Sequence, residues 1–277
     1  PEDAQFKILG EKIDGLNKEV EVYQNNIMSQ HKDKLVAKIV KMSTEIVIPE
    51  APVDAKGNII DSSFRFHYYR QHYWDNVDLL DERLVNNPVF HNKLEYFFSK
   101  NMMMQHWDTV LYYAFDFCDR LNPKTKTFEY VVGWLTSTYG KSQIMGMDKV
   151  YLFMLDRYYC TKNESGQSPA YWVAEDKFKD LCDNIKNKIN LVVGVRPPNL
   201  ILKDTTDNHW VNMYDIKADY TILYFWDPEC GHCKKITPKI EKLYTEKLKA
   251  RNVEVFSVGK AVGKDFEGWK KFIRENN

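Results

Sequence analysis

Two of the five cysteines in this chain, Cys230 and Cys233, stand two residues apart in the run Asp227-Pro228-Glu229-Cys230-Gly231-His232-Cys233. Thiols at that spacing can be attacked in turn, the first forming a mixed disulfide with a substrate and the second resolving it, so thiol–disulfide exchange is the chemistry they suit. Zinc is the competing use of a cysteine pair. It needs four ligands, commonly a second pair or spaced histidines, and the sequence has no second pair. His232 lies between the two thiols and is poorly placed to join them on one ion. Neither a metal nor a cofactor is expected.

The elements around the pair matter more than the motif. An apolar run, Thr221 to Trp226, precedes it, and an Asp227-Pro228 turn follows that run. From Gly231 to Arg251 the apolar residues Ile236, Ile240, Leu243 and Leu248 share one helical face, and Val253 to Val258 is a further short apolar run. The order strand, helix, strand, with a second helix at about 265–275, predicts a parallel βαβ unit with a right-handed crossover. Cys230 then sits at a helix N-terminus, where unpaired amides and the macrodipole draw a thiol below its free value of about 8.5. That position makes Cys230 the nucleophile and Cys233, one turn further in, the resolving thiol. Gly231 lets a substrate approach, His232 favours the thiolate, and Glu229 opposes it. The sign of their sum is not fixed by spacing.

Upstream the texture changes. From residue 1 to about 190 apolar residues recur at helical spacing, and helices are expected near 5–28, 32–44, 61–75, 88–101, 103–121, 126–139, 147–160 and 170–189. The stretch Ile46 to Asn58, with Pro49, Pro52 and Gly57, is expected to be a loop. The Gly- and Pro-marked connector Leu191 to Pro198 separates an all-α domain, 1–192, from an α/β domain, 193–277. The aromatic run Phe64 to Trp74 reads as packing rather than a nucleic-acid surface, and Met102-Met103-Met104 as core filler. His67 and His72 are five apart, off the spacing at which two imidazoles on a helix share a metal. A helix beginning near 170 puts Cys182 roughly 20 Å along it from the loop that follows Cys160, too far for a bridge. Cys118, Cys160 and Cys182 are therefore expected as buried free thiols.

Composition excludes several classes. Lys plus Arg equals Asp plus Glu at 39 each, so net charge points to neither nucleic acid nor a polyanion. With 277 residues, 44% of them apolar, the chain can bury two cores. No apolar run approaches the ~18 residues of a transmembrane helix, and a start at Pro1 reads as a trimmed or processed terminus.

The segment Phe225-Trp226-Asp227-Pro228-Glu229-Cys230-Gly231-His232-Cys233-Lys234-Lys235-Ile236-Thr237-Pro238 resembles the active site of bacterial TlpA/ResA-type thiol–disulfide oxidoreductases of the thioredoxin fold. The likeness runs over about 195–277, and the Cys-Gly-His-Cys tetrapeptide is also similar to that of protein disulfide isomerases. The resemblance implies catalytic Cys230 and Cys233 and supporting roles for Trp226 and for Pro238, which matches the helix-kinking proline of thioredoxins. It further implies protein thiols and disulfides as substrates, a membrane or periplasmic electron donor or acceptor, and a place in the periplasm or cell envelope. The helical half resembles, more weakly, an uncharacterised domain that precedes thioredoxin modules in bacterial envelope proteins.

Three departures accompany the likeness. Tyr224 stands where thioredoxins bury an acid, and Ile236 where some ResA-like reductases carry a glutamate. No proline follows Pro238, so the sequence stops short of a cis-proline loop, and one more ββα unit is expected to cover the apolar strand Thr221–Trp226. The expected function is disulfide exchange with envelope proteins, in a direction the motif does not fix. The alternative is an envelope docking protein whose helical domain carries the function beside a vestigial redox module.

Overall fold

A computed structural model describes residues 4–205, 209–260 and 265–276. The chain divides into two compact units, Pro1–Arg196 and Pro197–Asn277.

The first unit is built of helices, α1 (Ala4–Gln30), α2 (Leu35–Ser43), α3 (Phe64–His72), α4 (Pro88–Phe97), α5 (Trp107–Asp119), α6 (Lys126–Gly140), α7 (Asp148–Leu155) and α8 (Glu175–Ile189), with a non-helical stretch between α2 and α3 that holds one antiparallel bridge, Val53 to Ile59. Their starts follow from local chemistry. Asn87 accepts the Val89 amide ahead of Pro88 at the first helical position, and the Thr125 hydroxyl accepts the Phe128 amide at the head of α6. The core then forms from the inward stripes. Val110, Ala114 and Phe117 of α5 are fully buried, as are Phe128, Val131 and Leu135 of α6 and Val150 and Met154 of α7. Trp74 stacks on Phe117 with ring centroids 4.3 Å apart.

The aromatic run divides. Tyr73 and Trp74 are buried, whereas α3 itself has no buried residue: Phe64, Tyr68 and His72 lie on one another along its surface. Met102 and Met103 fill the core, and Met104 is exposed.

One expectation is overturned here. Cys160 and Cys182 are joined in a disulfide, and Cys118 is the buried free thiol of the three. The reason is where α8 begins. It starts at Glu175, so Cys182 lies only about 10 Å along it. The connector from 161 to 174 is long enough to bring α8 back beside the π-helical turn Asp156–Cys160 that ends α7.

α1 stands apart from this core. Most of its length is exposed, and its main neighbour is α2. Gly10 and Gly15 interrupt it with open space around both, each costing about 1 kcal/mol against alanine in a helix interior.

The second unit opens with a short antiparallel pair, β1 (Ile201–Lys203) and β2 (Trp210–Asn212). A parallel pair follows, β3 (Tyr220–Trp226) and β4 (Val253–Gly259), in a register that sets Trp226 opposite Gly259. Between them runs α9 (Gly231–Leu243), shorter than the sequence pattern implies because the backbone passes at Tyr244 into a π-helical turn and then a 3-10 turn. Asn252, in the left-handed region at φ 54°, turns the chain into β4. α10 (Asp265–Asn276) closes the described chain. Among the described residues β3 pairs with β4 alone, and Tyr220, Ile222 and Phe225 are exposed. No described helix is long and apolar enough to cross a membrane.

Candidate redox site

β3 delivers the site. Trp226, its last residue, is buried against Phe272 of α10 with centroids 4.9 Å apart, which anchors the strand end from below. The chain turns at Asp227-Pro228: the Asp227 carboxylate accepts the Glu229 amide at 2.8 Å, and the Cys230 amide donates to the Asp227 carbonyl at 3.1 Å.

Cys230 is the N-cap of α9. Its Sγ accepts the Cys233 amide at 3.4 Å, the place a serine or aspartate oxygen takes in ordinary caps. The Cys233 amide, the Cys233 thiol and the His232 amide all converge on that sulfur and hold its pKa below the ordinary thiol value. Cys233 goes the other way. A backbone hydrogen bond from Asp227 works to lower it, but the Cys230 thiol, partial burial and the charge of Cys230 outweigh that contact and raise it. Both thiols are free and half-buried.

The other expected residues are placed as follows. Gly231 and His232 are exposed at the head of α9. The Glu229 side chain extends over α10, its Oε1 3.8 Å from where a β-carbon on Gly268 would stand. α9 continues through Pro238, whose ring is exposed. Tyr224, at the position of the missing acid, donates to the Thr237 hydroxyl at 2.9 Å, because Thr237 gives its single proton to the Cys233 carbonyl at 2.9 Å. This chain of contacts reaches the backbone of the second cysteine rather than its sulfur.

Sequence reasoning missed one pair. Lys260 Nζ lies 3.2 Å from Asp227 Oδ2. The Glu229 amide and Lys260 hold the Asp227 carboxyl below its usual range, while the charge of Asp227 pushes both cysteine thiols up. The signal available was positional: residues just past the C-terminal ends of adjacent parallel strands meet at one edge of the sheet.

Residues 193–276 match the model of the AhpC/TSA family. No curated protein matches the chain. Solved structures do, among them the following two. A domain of a possible thiol-disulfide isomerase from Cytophaga hutchinsonii ATCC 33406 is 40% identical over 28% of this chain and 51% of its own, with a TM-score of 0.26. The chain thus spans about half of that domain. A thioredoxin-like protein from Bacteroides caccae ATCC 43185 is 16% identical over 84% of this chain and 80% of its own, with a TM-score of 0.49. The C-terminal part of the chain, matched by the AhpC/TSA family over residues 193–276, is a thioredoxin-like domain that follows an N-terminal helical region.

Proposed function

We propose that the domain over 193–277 exchanges disulfides with protein substrates, with Cys230 as nucleophile and Cys233 as resolving thiol. One observation carries this reading: Cys230 caps α9 with its sulfur on the Cys233 amide, and its thiolate is favoured while that of Cys233 is disfavoured. A nucleophile that ionises first and a resolving thiol that ionises second is the order the reaction needs.

The Cys230 thiolate attacks one sulfur of a substrate disulfide, forming a mixed disulfide and releasing the other substrate sulfur as a thiolate that takes up a proton. Cys233 then gives up its proton and attacks Cys230 Sγ. The Cys230–Cys233 disulfide forms, the second substrate thiol leaves, and two electrons have passed to the substrate. Run in reverse, the same steps oxidise a dithiol. His232 and Gly231, exposed beside Cys230, are placed to face the substrate, and Asp227 with Lys260 tunes both thiols. The resemblance of part of the chain to a possible thiol-disulfide isomerase agrees with this assignment. A place in the periplasm or cell envelope is supported by the Cys160–Cys182 disulfide, since such bridges persist in oxidising compartments.

The test is insulin disulfide reduction by the wild-type chain against Cys230→Ser. Loss of turnover in the variant is expected; equal rates remove Cys230 from the mechanism.

A further inference from the structure

α1 carries an apolar stripe that its own unit leaves uncovered. Phe6, Leu9, Ile13, Leu16, Val20, Tyr23 and Ile27 follow one another in alternating steps of three and four, the spacing of positions a and d in a heptad. The first six are all more than half exposed, from 53% at Val20 to 78% at Phe6. Ile27 is half-buried where the helix leads into α2. A face this narrow is the seam of a coiled coil rather than the broad stripe of a core helix. Outside the stripe α1 also exposes Ile8 and Val22, but its charges mix Lys7, Lys12 and Lys18 with Glu11, Asp14, Glu19 and Glu21, which lacks the basic face of a membrane-surface helix.

We propose that α1 pairs with α1 of a second copy of this chain as an antiparallel, two-fold coiled coil. Antiparallel pairing sets each a position against a d position, and one register pairs all six exposed members of the stripe. In it Phe6 meets the partner's Tyr23, Leu9 the partner's Val20, and Ile13 the partner's Leu16, each contact repeated by the two-fold axis. Aromatic layers close both ends and aliphatic layers fill the middle.

The flanking charges select that arrangement. Lys12 and Glu19 occupy the two central g positions, and in the antiparallel register Lys12 faces the partner's Glu19 twice over. The e positions that face one another, Gly10 and Asn17, are uncharged. In a parallel pair Lys12 would face the partner's Asn17 and Glu19 the partner's Gln24, with no ion pair gained. Within its own helix neither Lys12 nor Glu19 has an opposite charge three or four residues away. Two glycines in a helix with little packing of its own add to the need for a partner.

Sedimentation velocity of the full chain, from micromolar to sub-millimolar concentration, tests this. A dimer is expected, and Ile13→Lys with Leu16→Lys should render it monomeric without changing the thermal melting of the rest of the chain. Lys12→Glu alone should weaken the dimer on the order of tenfold, because two ion pairs become two repulsions, and adding Glu19→Lys should restore it. A wild-type chain that stays monomeric throughout overturns the proposal, as does a dimer indifferent to the double lysine variant. A dimer in which the charge swap brings no rescue overturns the antiparallel register.

Discussion

Lys260 reaches Asp227 at 3.2 Å across the ends of two neighbouring parallel strands, and the carboxylate it partly neutralises pushes upward on both thiols of the Cys230–Cys233 pair, against the contacts that lower Cys230. Two substitutions should therefore move the thiols in opposite directions. Asp227→Asn removes the repulsion and should lower the pH at which Cys230 ionises. Lys260→Ala leaves Asp227 uncompensated and should raise it. Thiolate absorbance followed against pH gives both values, and both effects should shrink with added salt because the site is open to solvent. Shifts of the same sign in the two variants would show that the pair acts through backbone position instead.

The two cysteines should label in sequence. Cys230, held low by the amides of Cys233 and His232, should alkylate with iodoacetamide at neutral pH, and Cys233, held high by its neighbour, only in more alkaline solution. Cys230→Ser removes both the thiol contact and the negative charge that raise Cys233, so Cys233 should then react at lower pH than in the wild type. Peptide mass spectrometry distinguishes the sites. The same shifts set how reduced-state stability varies with pH. Cys230, depressed on folding, contributes stability that is present above its unfolded value and lost as pH falls through the folded one. Cys233, raised on folding, contributes stability that is lost as pH rises toward its folded value.

Gly259 is fixed by Trp269. A β-carbon at 259 would stand 1.9 Å from Trp269 Nε1 and 2.4 Å from its Cδ1, with Trp226 Cε2 at 3.0 Å. Gly259→Ala must displace an indole that is itself buried, and should cost about 1–3 kcal/mol. Urea denaturation read by tryptophan fluorescence would register the lower midpoint. Since Trp226 ends the strand that carries the site, a fall in disulfide reductase rate is expected beside the loss of stability.

The residues that act through local order were legible in the sequence, and those that act through tertiary register were not. An apolar run, an Asp-Pro turn and an amphipathic run place Cys230 at a helix tip without reference to the rest of the chain. Lys260 meets Asp227 only because β3 and β4 pair with Trp226 opposite Gly259, a register no single segment contains. Element ends were the other source of error. Extending α9 to Arg251 overlooked its passage into a π-helical turn at Tyr244, where aliphatic spacing continues but the backbone does not. The seam of α1 illustrates a third case: its steps of three and four are plain in the sequence, but exposure is what separates an unpaired seam from a core-facing stripe.

The Cys160–Cys182 bridge allows the helical unit to be tested apart from the redox site. It closes a loop with a sequence separation of 22 and ties the end of α7 to α8, which otherwise packs inward through buried Ile185 and partly buried Leu181 and Ile189. Loop-closure entropy for a loop of that size predicts a loss of about 3 kcal/mol when the bridge is removed. A chain carrying Cys160→Ala and Cys182→Ala should accordingly melt at lower temperature than the wild type, and dithiothreitol should bring the wild type down toward the variant while leaving the variant unmoved. Because the Cys230–Cys233 pair lies in the other compact unit, its reductase rate below the melting transition should be unchanged by the double substitution. Melting that is insensitive to both the substitution and the reductant would mean that α8 is held by apolar contacts alone.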